Sequence, residues 1–210
     1  MDPLILIFSL VILLFSVIIH ELAHGYVANA LGDSTAKYAG RLTLNPVKHL
    51  DPFGSVILPI LLLVATGGQG PAFGWAKPVP VNPYNFKDQK WGSLKVAIAG
   101  PISNILVALI FGLLIRFIPY TFFLGMPGLL IMFTFIVQIN IILALFNLLP
   151  IPPLDGSWVL FHFIPDSFDN IKMALQQYGM FILIFLIFFG GLGWLYALES
   201  LIFSLFTGIS

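Results

Sequence analysis

A chain of 210 residues that is 59% hydrophobic and only 9% charged falls far below the roughly 25% charged residues of a soluble domain. With a mean hydropathy of +1.03, it reads as one integral membrane domain. Nine Lys and Arg balance nine Asp and Glu, so net charge gives no argument for nucleic acid or an acidic partner. The absence of cysteine excludes disulfides and thiolate ligands, leaving His and carboxylate for any metal.

The apolar run from Leu4 to about Leu31 is long enough to cross about 30 Å of hydrocarbon and predicts a first transmembrane helix. It lacks the positive n-region of a secretory signal. Gly32 to Pro52, with the breakers Asn45-Pro46 and Asp51-Pro52, is a loop. Phe53 to Thr66 is apolar but short, contains Pro59 and ends at Gly67-Gly68, which favours a re-entrant element over a span. Lys77-Pro78-Val79-Pro80-Val81-Asn82-Pro83 reads as extended chain and predicts short strands between the first two long spans. Ser93 to Phe117 is a second span, loosened by Gly100-Pro101 near its start. Thr121 to Leu149 is a third and ends in Pro150-Ile151-Pro152-Pro153-Leu154-Asp155-Gly156, which cannot be continuous helix. Met173 to Phe189 and Leu192 to Phe206, separated by Gly190-Gly191 and Gly193, predict a closing helical hairpin over 166–210 behind a core of 1–165. The expected fold is thus an all-α polytopic membrane protein of about five to six transmembrane helices.

Inside the first span lies His20-Glu21-Leu22-Ala23-His24. On a helix, residues four apart share a face, so His20 and His24 can bind one zinc ion while Glu21 handles its water. An ionisable cluster at bilayer depth costs several kcal/mol unless paired or metallated, so it is functional by default. A catalytic zinc usually takes a third protein ligand. The acidic candidates are Asp33, Asp51, Asp88, Asp155, Asp166, Asp169 and Glu199. Asp155 is best placed, because it directly follows a span in non-helical chain, which at membrane depth must be buried or line a cavity. Its bland alternative is an N-cap for a short helix from Gly156 to Phe163.

These residues, with Gly100-Pro101-Ile102-Ser103-Asn104 and Asn147-Leu148-Leu149-Pro150-Ile151-Pro152-Pro153-Leu154-Asp155-Gly156, resemble the site-2 proteases, intramembrane zinc metalloproteases. The likeness is to the short prokaryotic branch without PDZ or CBS domain. It implies one zinc per chain held by His20, His24 and Asp155, with Glu21 as catalytic base, and transmembrane proteins as substrates. The rival reading is a membrane metal transporter or inactive scaffold, for which further intramembrane carboxylates besides Glu199 are few.

His20 lies roughly 24 Å along the helix from Leu4 at 1.5 Å per residue, so the motif sits toward the helix's C-terminal side. Asp155 reaches it only if Phe53 to Thr66 does not cross. That choice gathers Lys37, Arg41, Lys48, Lys77, Lys87, Lys90 and Lys95 on one side, predicting a multi-pass protein of the cell membrane, N-terminus outside, with its site nearer the cytosol. A neutral intramembrane amide suits the oxyanion: Asn147 first, then Asn140 and Asn104. The Lys77 to Pro83 segment, or the chain around Phe73-Gly74, is expected to pair an unwound substrate. His49 and His162 are expected to be structural or solvent-facing.

Overall fold

The computed structural model describes residues 3–57, 60, 61, 64 and 77–209. Four of its helices are long and apolar enough to cross a membrane: α1 (Pro3–Ala30), α3 (Gly92–Phe117), α5 (Pro127–Asn147) and α7 (Asp169–Phe188). Shorter helices are α2 (Thr35–Tyr38), α4 (Tyr120–Leu124), α6 (Asp155–Phe163) and α8 (Trp194–Thr207). Among the described residues there are thus fewer long spans than the sequence suggests, because α8 is only 14 residues long.

The centre of the bundle is α3, which packs against α1, α5, α6 and α8. It runs antiparallel to α1, since Asn104 reaches Ser16 and Val96 reaches His24. Residues 31–91 therefore leave and rejoin the bundle at the same end. At the other end, α3 and α5 share a core of Ala108, Ile115, Val137 and Ile141, with Phe111 edge-on to Phe133 at 5.0 Å.

The long connection begins where Gly32, at φ +110°, turns the chain out of α1, a conformation that favours glycine. The expected short strands are not formed in the described residues. Lys77 to Asn82 is extended but lies in no ladder, because Pro78 and Pro80 remove two donors. Of the expected re-entrant segment, Pro52–Ile57 forms a short π-helical turn. Most of the segment beyond Ile57, and Phe73-Gly74, lie outside the described residues.

The segment expected to close the fold as a helical hairpin contains α7 and α8. α7 meets the bundle where Gly179 abuts Pro152 and Leu183 joins Leu149 and Leu154. α8 starts in that same cluster with Leu195 and ends beside the last turn of α3, where Arg116 Nη1 donates to Leu205 O at 2.8 Å. The glycine-rich turn, with Gly190 at φ +73°, therefore passes the chain onward along the bundle. Both helices contribute to that one cluster, α7 through Leu183 and α8 through Leu195.

Candidate metal centre

α1 carries His20 and His24 one turn apart, with their rings edge-on at 4.6 Å. The chain leaving α5 turns back sharply, and Leu154 rather than Asp155 caps α6, leaving the Asp155 side chain free to point at α1. Gly156 permits this turn: a Cβ there would lie 2.2 Å from Leu148 O. Asp155 Oδ2 lies 3.0 Å from His20 Nε2 and 3.2 Å from His24 Nε2, and the two Nε2 atoms are 3.0 Å apart. The other acidic candidates with described partners are engaged elsewhere: Asp33 with Thr35 and Asn82, Asp51 with Gly54 N, Asp88 with Lys95, and Asp169 with Lys172. Glu199 is buried in α8.

Outward contacts decide what the two rings present inward. His24 Nδ1 meets Val96 O at 2.7 Å, and a carbonyl only accepts, so that nitrogen carries the hydrogen. His20 Nδ1 donates in the same way to Asn104 Oδ1 at 2.6 Å. Both rings therefore turn Nε2, the nitrogen left for a metal, toward a carboxylate oxygen, within 3.2 Å. Such a donor set repels itself and suits a small cation that prefers nitrogen and oxygen ligands, as zinc does. Space has been kept for it: a Cβ at Gly100 would sit 2.5 Å from both Nε2 atoms.

A cavity of about 400 Å³ opens onto this cluster, walled by Glu21, Asn147, Pro153 and Trp158 on the helical side and by Pro78, Val79, Val81 and Pro83 on the other. Glu21 Oε2 accepts the Val79 N–H at 2.7 Å. Asn147 lines the cavity, its amide donating to Leu143 O at 2.9 Å. Asn104 and Asn140 are fully buried behind His20 and do not face the cavity.

The extended segment forming one wall is fastened by residues whose role no sequence motif announced. Arg41 Nη2 donates to Lys77 O at 2.6 Å and to Pro78 O at 3.3 Å. The buried His49 ties down its own loop through Thr43 O, and its carbonyl accepts Lys77 N–H. Asp33, fully buried, accepts from Asn82 N at 2.7 Å, from Asn85 Nδ2 at 2.9 Å, and from the Thr35 hydroxyl and N–H. Burial pushes the Asp33 carboxyl up, but those bonds, led by the Thr35 hydroxyl, outweigh it and hold it below the usual carboxylate range. The local signal was Asp33-Ser34-Thr35, an acid placed to bond the backbone two residues on. His162 packs at a tilt against Trp91, 4.5 Å between ring centres.

The sequence profile of Peptidase family M50 matches residues 124–189. The chain is 42% identical over 187 residues to YwhC of Bacillus subtilis, provisionally named a zinc metalloprotease, covering 87% of this chain and 80% of that one. It is 30% identical over 203 residues to Rip2 of Mycolicibacterium smegmatis, named in the same way, covering 94% and 73%. Zinc metalloprotease MJ0392 of Methanocaldococcus jannaschii is 28% identical over 164 residues, covering 78% of this chain and 36% of that one. No solved structure gives a significant match. The chain belongs to peptidase family M50, the site-2 protease family of intramembrane zinc metalloproteases.

Proposed function

We propose that His20, His24 and Asp155 hold one zinc ion and that the protein hydrolyses peptide bonds in or near transmembrane segments of other membrane proteins. The observation that carries this is the convergence of two imidazole lone pairs and one carboxylate oxygen within 3.2 Å, beside a cavity that Glu21 also lines. Zinc bound there supplies Lewis-acid polarisation and makes water acidic enough to attack. Glu21 takes the proton of the attacking water and delivers it to the departing amide nitrogen. The Val79 N–H fixes one oxygen of that carboxylate, leaving the other for the water. Asn147, with one amide hydrogen given to Leu143 O, offers its second to the oxyanion.

A helical substrate must unwind to be cut, and its freed backbone groups need partners. Along the extended wall, the N–H groups of Lys77, Val79 and Asn82 are already committed to His49 O, Glu21 and Asp33. That edge therefore recognises substrate mainly through its carbonyls, with the Val81 N–H as a further donor. The whole chain acts as one catalytic domain.

We place the protein in the cell membrane with residue 3 outside. Lys37, Lys48, Lys77, Lys87 and Lys90 lie in the connection at the zinc end of α1, whereas Arg116 lies at the opposite end of the bundle; by the positive-inside rule the zinc end is cytosolic. Cysteines replacing the exposed Tyr38 and Tyr84 should react only from the cytosol, and one replacing Tyr120 only from outside. The reverse pattern overturns the orientation. For the chemistry, Glu21→Gln should retain zinc while cleavage of a model single-span substrate falls at least about 10²-fold. Zinc retained with unchanged cleavage refutes the role of Glu21.

A further inference from the structure

Behind His20 lies a hydrogen-bonded chain that crosses three helices and never reaches the cavity. Asn140 Nδ2, on α5, donates to Ser16 Oγ at 2.9 Å and to Ile136 O at 2.8 Å. Its Oδ1 accepts Asn104 Nδ2, on α3, at 2.8 Å, and that nitrogen also donates to Ser16 O at 3.2 Å. Asn104 Oδ1 then faces His20 Nδ1 at 2.6 Å. Ile136 O and Ser16 O are backbone carbonyls that can only accept, so neither amide can be reversed without setting oxygen against oxygen. Both side chains are fully buried, where water cannot repair such a mismatch. The direction of every bond is thus dictated from the two backbone carbonyls to the imidazole.

We propose that Asn104, itself oriented by Asn140, is a positioning residue that fixes the tautomer and ring plane of His20. A hydrogen held on Nδ1 leaves the Nε2 lone pair directed at Asp155 Oδ2, 3.0 Å away. Ligating histidines are commonly oriented by an acceptor on their far nitrogen, and removing it weakens metal affinity by about 10- to 100-fold. Here the acceptor is an amide, which could turn either way alone; Asn140 removes that freedom. The alternative is plain helix joining, since interhelical amide contacts stabilise membrane bundles modestly. The proposal rests on His20 being a zinc ligand.

The test measures zinc affinity of the full-length protein in detergent at neutral pH by competition with a chromophoric chelator, with Zn²⁺ as the only probe. Asn104→Leu should weaken zinc binding by about 10- to 100-fold. Asn104→Asp keeps an acceptor for Nδ1–H but sets its second oxygen against Ser16 O and Asn140 Oδ1, so it should bind zinc more tightly than Asn104→Leu while falling short of wild type. Asn140→Leu should weaken binding severalfold, and the Asn104→Leu/Asn140→Leu pair should be no weaker than Asn104→Leu alone, because Asn140 acts through Asn104. A helix-joining role predicts different outcomes: the Asp variant fares worse than Leu, or the two Leu effects add. Either result, or wild-type affinity in Asn104→Leu, overturns the proposal. Should Asn104→Leu not fold, wild-type affinity in Asn140→Leu does so instead. Failure of the unaltered protein to bind zinc would sink the ligand assignment itself.

Discussion

Gly100→Ala adds a single methyl group at the most confined point of the centre. The new Cβ would stand 2.5 Å from His20 Cε1, His20 Nε2 and His24 Nε2, where ordinary contact begins near 3.4 Å. Both rings must retreat by nearly 1 Å, yet their Nδ1 atoms are anchored to Asn104 and Val96. Two effects on the metal-free fold oppose each other. Alanine in a helix interior gains about 1 kcal/mol over glycine, and overpacking costs about 1–3 kcal/mol. The metal-free stability should therefore fall by no more than about 2 kcal/mol. Zinc linkage separates the cases more sharply. Zinc at a hundredfold excess over its dissociation constant stabilises the parent by about 2.7 kcal/mol; a hundredfold loss of affinity reduces that to about 0.4 kcal/mol. Thermal unfolding with zinc and with chelator should show a clear upward shift in Tm for the parent and almost none for Gly100→Ala. A variant that keeps the full zinc-dependent shift would refute the placement of zinc between these rings.

The wall segment gives further expectations. Val79→Pro removes the N–H that holds Glu21 while suiting an extended chain already rich in proline; kcat should fall about tenfold or more with zinc affinity unchanged, and Val79→Ala should behave as wild type. Asp33→Asn keeps one acceptor oxygen and sets amide hydrogens against the donors of either Asn82 or Thr35, so it should lower kcat about tenfold through a loosened wall, at a cost of about 1–3 kcal/mol, again sparing zinc affinity. Because the folded Asp33 lies below its ordinary value, its contribution is complete above that value and is lost only as pH falls through the lower folded pKa. The pH–rate profile from about pH 5 to 8 should therefore keep its shape in Asp33→Asn while dropping in height. Gly156→Ala drives a Cβ into Leu148 O at 2.2 Å and Leu149 O at 2.5 Å. Backbone cannot yield as side chains do, so this variant should lose folded protein on size-exclusion chromatography whatever the zinc concentration.

The convergence of His20, His24 and Asp155 was legible because its signals are local. His20, Glu21 and His24 lie within two helical turns, and Asp155 follows a span in chain that proline keeps from continuing as helix. The antiparallel pairing of α1 and α3 followed from depth, since Asp155 must return to the level of His20. What the sequence hid depends on which group faces which across the bundle. Asn104 and Asn140 were visible as intramembrane amides, yet nothing local says that they stand behind His20 instead of beside Asn147. Their neighbours are decided by the rotation of α3 and α5, and every long helix here is apolar nearly all round, so periodicity offers no face to read. The closing segment is hard to read for a related reason. Two apolar runs around a glycine turn suit a hairpin equally well as two successive helices, and only the packing of α8 on α3 and α5 distinguishes them.

The centre therefore has two supports that do not share residues. The imidazoles are aligned from within the bundle by Asn104, Asn140 and Val96, whereas Glu21 is aligned from the connecting loop by Val79, whose segment hangs on Asp33, Arg41 and His49. Metal affinity and proton transfer should accordingly be separable by mutation. The asymmetry also suits a membrane enzyme. Ligands held by helices keep their geometry in the bilayer interior, where a mismatched polar group is expensive. On the proposed roles, Glu21 is held instead by the wall along which substrate would lie, so a peptide pairing with the Val79 and Val81 carbonyls would press on the segment that positions it. Substrate engagement and alignment of the base then occur on one strip of chain, and a substrate unable to unwind along it would leave Glu21 supported but without a bond to cut.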